Sequence, residues 1–86
     1  MTEQTQFGFE DLRRILVDRV GLADEDVKED PSTTFDEMGL DSLAFVEVQL
    51  AMEQEYNFTI EDEDAENIHT VGEAIEYVNR RLAEDG

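Results

Sequence analysis

Eighty-six residues with 24 Asp and Glu against 6 Lys and Arg give a formal net charge of −18, and cysteine is absent. A chain this short supports one domain with a modest core, and the missing cysteines exclude disulfide staples, thiolate zinc sites and thiol nucleophiles. The acidity excludes nucleic acid and anionic membrane surfaces, which would repel it, and points to basic patches on partner proteins.

The N-terminus lacks a basic-then-apolar export signal, and no apolar run approaches the roughly 20 residues of a membrane helix, so the expected location is the cytoplasm. Met1 to Gln6 is polar and, with residues 84–86, is expected to fray at the ends of one domain spanning 1–86. Phe9, Leu12, Leu16 and Val20 then recur at helical spacing, widened by Ile15, and predict a first helix. Gly21 stops it as a left-handed C-terminal residue, with Leu22 folding back over the last turn. From Ala23 to Asp41 the chain is acidic and aperiodic, with its one proline at Pro31; Val27, Phe35, Met38 and Leu40 are expected to pin this long loop to the core.

A second helix is predicted from Ser42 to Tyr56, with Asp41 as its N-cap. At 100° per residue it has two apolar stripes. Phe45, Val48, Met52 and Tyr56 form one, and Leu43, Val46 and Leu50 the other, which either packs on a neighbouring helix or stays exposed as a docking surface. Asn57 to Ile60 breaks the pattern, and the acidic run Glu61 to Glu66 leads into at most a short helix anchored by Ile68. Thr70 and Glu73 form a capping box for a final helix with Val71, Ile75, Val78 and Leu82 on its core face. The predicted fold is all-α: a small antiparallel bundle of three main helices plus one short helix, with a long loop between helices 1 and 2.

The most informative stretch is Gly39-Leu40-Asp41-Ser42-Leu43. It sets a serine where loop turns into helix, and because Asp41 can supply the cap, the Ser42 hydroxyl is left free for chemistry. Competing sites are weaker. Asp62, Asp64, Glu66 and Glu73 match positions 1, 3, 5 and 12 of a calcium loop, but Asn67 replaces the turn glycine, and Thr70 with Glu73 serves better as a cap, so no specific metal site is expected. A Ser-His-acid triad lacks a nucleophile elbow, and the single histidine, His69, reads as a surface or packing residue.

In this order and charge context, Gly39 to Leu43, the two-faced helix after it and the acidic run into a capped helix resemble an acyl carrier protein. The resemblance covers Leu12 to Val20, Phe35 to Gly39, the Asp-Ser-Leu core, Ile60-Glu61-Asp62, and on through Tyr77-Val78-Asn79. It implies that a phosphopantetheinyl transferase converts the Ser42 hydroxyl into a phosphodiester to 4′-phosphopantetheine, taken from coenzyme A, and that acyl groups ride on the arm's thiol as thioesters. The resemblance also implies that Asp41 helps place Mg²⁺ during this transfer. The chain is then no enzyme but a carried substrate, a monomer visiting ketosynthase, acyltransferase and tailoring enzymes. Leu43, Val46 and Leu50 would form the apolar centre of its docking surface, with Glu47 and Glu53 as charged rim groups.

Asp-Ser-Leu-Ala is similar to the discrete carriers of aromatic polyketide synthases, whereas Glu61 to Asn67 and Val71 to Asn79 resemble fatty-acid carriers, apart from Glu61 where those commonly have proline. Polyketide biosynthesis is the preferred expectation and fatty acid biosynthesis the alternative. A different class, an acidic helical adaptor without a prosthetic group, would leave Ser42 as an ordinary first-turn residue.

Overall fold

The computed structural model describes residues 7–85, so the expected fraying of 1–6 and of Gly86 lies outside the described residues. Among the described residues every regular element is helical. The chain enters α1 (Phe9–Arg14) through Gly8, whose amide donates to Asp11 Oδ2 at 3.0 Å. α1 continues without a break into a π-helical segment (Ile15–Val20), a winding that the sequence reading missed. The four-residue apolar step from Leu12 to Leu16 to Val20 is compatible with this wider turn. Leu12, Ile15 and Leu16 are fully buried, while Phe9 and Val20 flank them half-buried. Gly21 adopts φ 91°, and both its own amide and the Leu22 amide, the latter at 2.9 Å, return to the Leu16 carbonyl, a left-handed closure one residue wider than that of an α-helix, in keeping with the π winding.

Phe7 lies before the first periodic residue and escaped the pattern, yet it is a core residue. Its ring meets Tyr56 edge-on at 5.3 Å. Its amide donates to Asn79 Oδ1 at 2.7 Å, and Asn79 Nδ2 donates to its carbonyl at 2.8 Å, which ties the start of the described chain to the last helix.

The long connection is held by Phe35, Met38 and Leu40, all buried, and by the half-buried Val27. Short 3₁₀ turns at Asp24–Asp26 and Asp36–Met38 shape it, the second closed by Gly39 at φ 85°. Thr34 and Glu37 cap that second turn reciprocally, each amide donating to the other's side chain at 3.1 Å. The loop also satisfies orphan donors of α4 (Val71–Asp85): Val71 donates to the Thr33 carbonyl and Gly72 to the Pro31 carbonyl, both at 2.9 Å. A Cβ on residue 72 would stand 3.0 Å from that same Pro31 oxygen, so glycine permits the approach.

α2 (Ser42–Tyr56) buries Val48, Ala51 and Met52 and packs against the π segment. It ends at Asn57, whose left-handed backbone (φ 59°) lets its amide close on the Glu53 carbonyl at 2.9 Å. Phe58 and Ile60 then turn inward, α3 (Asp62–Ala65) is a single turn, and Ile68 is buried beyond it. α4 packs on α1 and begins with the expected box: Glu73 donates its amide to Thr70 Oγ1 at 3.1 Å, while its carboxylate accepts from the His69 and Thr70 amides. These two amides hold the Glu73 carboxyl below the usual range, the His69 bond being the larger cause. Val71, Ala74, Tyr77 and Val78 are buried, with Ile75 and Leu82 half-buried beside them. The helix continues through Glu84 to Asp85, so the fraying expected from residue 84 gives way to helix up to that point.

Candidate functional site

Asp41 leads into α2 with extended backbone, and its Oδ1 accepts the Ala44 amide at 2.9 Å while its carbonyl accepts that of Phe45 at 2.9 Å. The cap expected from the sequence is therefore formed by Asp41 and not by the serine after it. Ser42 is exposed, and its hydroxyl has no hydrogen-bond partner among the described residues. An unengaged hydroxyl beside the positive end of a 15-residue helix suits a negatively charged ester group.

The question of the second stripe of α2 is decided by burial: Leu43, Val46 and Leu50 are 74%, 44% and 48% exposed. They run along the helix from the serine, with Glu47 exposed among them. Glu53 differs from Glu47, being half-buried with Oε2 accepting the Ile60 amide at 2.7 Å, so one face of its carboxylate is spent on the turn after α2.

A groove of about 490 Å³ opens at Ser42. Its apolar lining comes from Phe35, Leu40, Phe45, Ala65 and Ile68, and the Phe35 and Phe45 rings pack at 5.3 Å. Thr34, Asp36, Asp41, Glu66 and His69 supply its polar rim. A second, shallower depression of about 360 Å³ runs from Ser42 along Val46 and Gln49 to α3. The sequence leaves His69 as either a surface or a packing residue before a helix; the side chain is 67% exposed, and its place on the groove wall was not legible, because residues 34–42 and 65–69 meet only in the tertiary structure.

Electrostatics set this region apart. No Lys or Arg occurs between Lys28 and Arg80, the span that holds Ser42 and the groove. Of the arginines outside it, Arg13 pairs with Asp24 at 2.9 Å, Arg14 and Arg19 take the two oxygens of Glu55 at 2.9 and 3.2 Å, and Arg81 donates to the Thr59 carbonyl at 2.7 Å and the Tyr77 hydroxyl at 2.8 Å. The surface beside Ser42 therefore combines an apolar stripe with uncompensated negative charge. Asp62, Asp64, Glu66 and Glu73 do not gather into a calcium loop: Asp64 accepts the Tyr77 hydroxyl at 2.8 Å and Glu73 is the α4 cap. Among the described residues no three His, Asp or Glu converge to hold a metal ion.

The family model described as the phosphopantetheine attachment site matches residues 10–78. The chain belongs to the acyl carrier protein family. A curated acyl carrier protein of Wolinella succinogenes is 39% identical over 70 residues, 81% of this chain and 91% of its own length. One of Chlamydia trachomatis is 38% identical over 72 residues, covering 84% of this chain and 92% of the relative. This carrier holds 4′-phosphopantetheine covalently, and the exposed hydroxyl at the start of α2 fits such a group. When bound, the arm supplies the thiol that a cysteine-free chain lacks. The chain's own contribution is a helix start of the right polarity, a firm cap at Asp41, and an exposed apolar stripe of Leu43, Val46 and Leu50 beside them.

Proposed function

We propose that this carrier holds oxygenated, growing acyl chains of polyketide biosynthesis on an arm attached to Ser42 and delivers them to partner synthase enzymes. The observation that carries the attachment is the unengaged, exposed Ser42 hydroxyl next to a cap already made by Asp41. In the transfer Ser42 Oγ gives its proton to a base of the transferase and bonds to the pantetheine-bearing phosphorus of coenzyme A, the pyrophosphate P–O bond breaks and adenosine 3′,5′-bisphosphate leaves; Asp41, whose second oxygen is not needed for the cap, helps place Mg²⁺. Leu43, Val46 and Leu50 form the apolar centre that partners cover, with Glu47 and the outer oxygen of Glu53 meeting Arg or Lys on transferase, ketosynthase, acyltransferase and tailoring enzymes. Such contacts are brief and salt-sensitive, which suits a monomeric cytoplasmic carrier that visits several enzymes in turn.

The polyketide assignment is supported by the stretch Asp41-Ser42-Leu43-Ala44 and by the hydrogen-bond donors Thr34 and His69 on the groove rim, which suit a chain bearing oxygens. The alternative, fatty acid biosynthesis, is favoured by the resemblance of Glu61 to Asn67 and of Val71 to Asn79 to fatty-acid carriers, apart from Glu61 itself. Intact mass after incubation with coenzyme A, Mg²⁺ and a phosphopantetheinyl transferase tests the attachment: one arm is gained by the native chain and none by Ser42→Ala, whose stability stays within about 0.5 kcal/mol because the site is exposed. A mass gain that survives Ser42→Ala sinks the assignment of Ser42, and no gain by the native chain sinks the attachment chemistry. Extension of the malonyl-loaded form by a minimal polyketide ketosynthase, in preference to a fatty-acid condensing enzyme, tests the pathway; the reverse preference selects the alternative.

A further inference from the structure

The single side chain able to carry positive charge between Lys28 and Arg80 is His69, and it lines the groove that opens at Ser42. Its main chain is committed: the amide donates to Glu73 Oε1 at 2.8 Å, and the carbonyl accepts from Phe35 at 3.1 Å. Its ring makes no hydrogen bond: Nδ1 stands 3.9 Å from Glu73 Oε1, an ion-pair distance when the ring is protonated but beyond hydrogen-bond range, and the side chain is 67% exposed. Backbone bonds thus fix the position of residue 69 while leaving the imidazole without an intramolecular hydrogen bond. Among the other rim groups, Asp36, Asp41 and Glu66 are acceptors when ionised, so they repel carbonyl oxygens. A neutral imidazole offers one N–H donor and a protonated one offers two, so in either state His69 can serve an oxygen acceptor.

We propose that His69 is the cargo-specificity residue of this carrier: its imidazole donates a hydrogen bond to a keto oxygen of the acyl group carried on the Ser42 arm while the groove floor takes the hydrocarbon. A tethered group enters this groove without a separate encounter, because its anchor is part of the lining. The groove volume of about 490 Å³ falls within the span of small-molecule pockets, and an apolar floor with one well-placed donor is their usual chemistry. A saturated chain of the same length finds the floor but leaves the donor to water. The inference rests on the reading that the cargo is oxygenated.

The test loads the native carrier, His69→Leu and His69→Gln with acetoacetyl or butyryl arms from the corresponding acyl-coenzyme A, confirms loading by intact mass, and reads NMR spectra. The acetoacetyl arm, labelled with ¹³C at the keto carbon, moves the His69 ring signals and shows its keto resonance downfield of the free thioester. The downfield shift is lost in His69→Leu and kept in His69→Gln, which retains a donor, while the butyryl arm leaves the ring signals at their unacylated positions. Equal ring shifts from both arms, or a keto resonance identical in the native carrier and His69→Leu, overturn the assignment. Both variants keep the backbone bonds of residue 69, and unchanged amide spectra outside the groove verify their fold. The ketosynthase preference described above is read separately: fatty-acid preference with an intact His69 contact removes the pathway reading alone, and polyketide preference without that contact removes the role of His69 alone.

Discussion

Asp41 and Ser42 divide two duties that a single residue at a helix start often combines. Because Asp41 accepts the Ala44 amide, the neighbouring hydroxyl is not drawn into capping and stays available at the positive end of α2. Asp41→Ala is expected to cost about 1 kcal/mol, the usual worth of a cap, or roughly 4–8 °C in Tm for a domain of this size. Asp41→Asn keeps a side-chain oxygen for the Ala44 amide and should melt within a degree or two of the native chain. If Asp41 also helps place Mg²⁺, the Asn variant is nevertheless slow in arm transfer; equal transfer rates for Asp41→Asn and the native chain confine the residue to capping. The same local logic operates at Thr70 and Glu73, and at Thr34 and Glu37, where the second box is equally visible as Thr-x-x-Glu in the sequence but has no apolar run after it to draw attention.

At the scale of the helix, α2 is built as a two-sided element, with Val48, Ala51 and Met52 facing the core and Leu43, Val46 and Leu50 facing out. The two faces predict opposite outcomes for substitution. Met52→Ala removes fully buried volume and should destabilise by about 2–5 kcal/mol, read by thermal or urea unfolding. Leu43→Glu and Val46→Glu should leave helicity and Tm nearly unchanged while slowing arm transfer and partner turnover; a collapse of the fold would return that stripe to the core. The first helix and the end of α2 are joined by Glu55, which takes both Arg14 and Arg19. Hydrogen bonds from Arg14, chiefly, hold the Glu55 carboxyl below its usual range, and the same bonds raise Arg14. A depressed carboxyl contributes stability above its unfolded value, near ~4.3, and loses it as pH falls through the lower folded value. Glu55→Gln should therefore cost about 1 kcal/mol at pH 7, the upper range for exposed pairs, and the gap from the native chain should close as pH falls through the lowered carboxyl value, measured by urea unfolding along a pH series.

For the molecule as a whole, −18 charges on 86 residues set the balance. Six basic residues are too few to neutralise them, and the span from 29 to 79 has none, so self-repulsion opposes compaction most in the span that holds Ser42 and the exposed stripe of α2. Raising ionic strength from about 10 to 150 mM shortens the screening length from about 30 to 8 Å. The expected outcome is a gain of at least about 1 kcal/mol, some 4–8 °C in Tm, with a simultaneous loss of affinity for basic partners. A Tm that does not move with salt would mean that the acids are spaced too widely to interact.

Local and periodic features were legible because they depend on neighbours within a turn or two: the helical stripes, the Gly21 and Asn57 breaks, the caps at Asp41 and Thr70, and the free hydroxyl at Ser42. Phe7 was not, since one aromatic ahead of a helix has no period and joins the core through distant residues, its ring against Tyr56 and its backbone held by Asn79 from the far end of the chain. The π winding of Ile15–Val20 was hidden for a related reason, as its apolar spacing also fits an α-helix. Glu53 looked like a surface charge until the turn after α2 brought the Ile60 amide to it. By itself the sequence determined the helices, their caps, the excess of negative charge and the position of an exposed serine that does not cap its helix, all consequences of short-range geometry and composition. Only the tertiary structure decided which stripe of α2 remains outside and that His69 shares a groove with Ser42, because both depend on contacts between segments far apart in the chain, which no local pattern encodes.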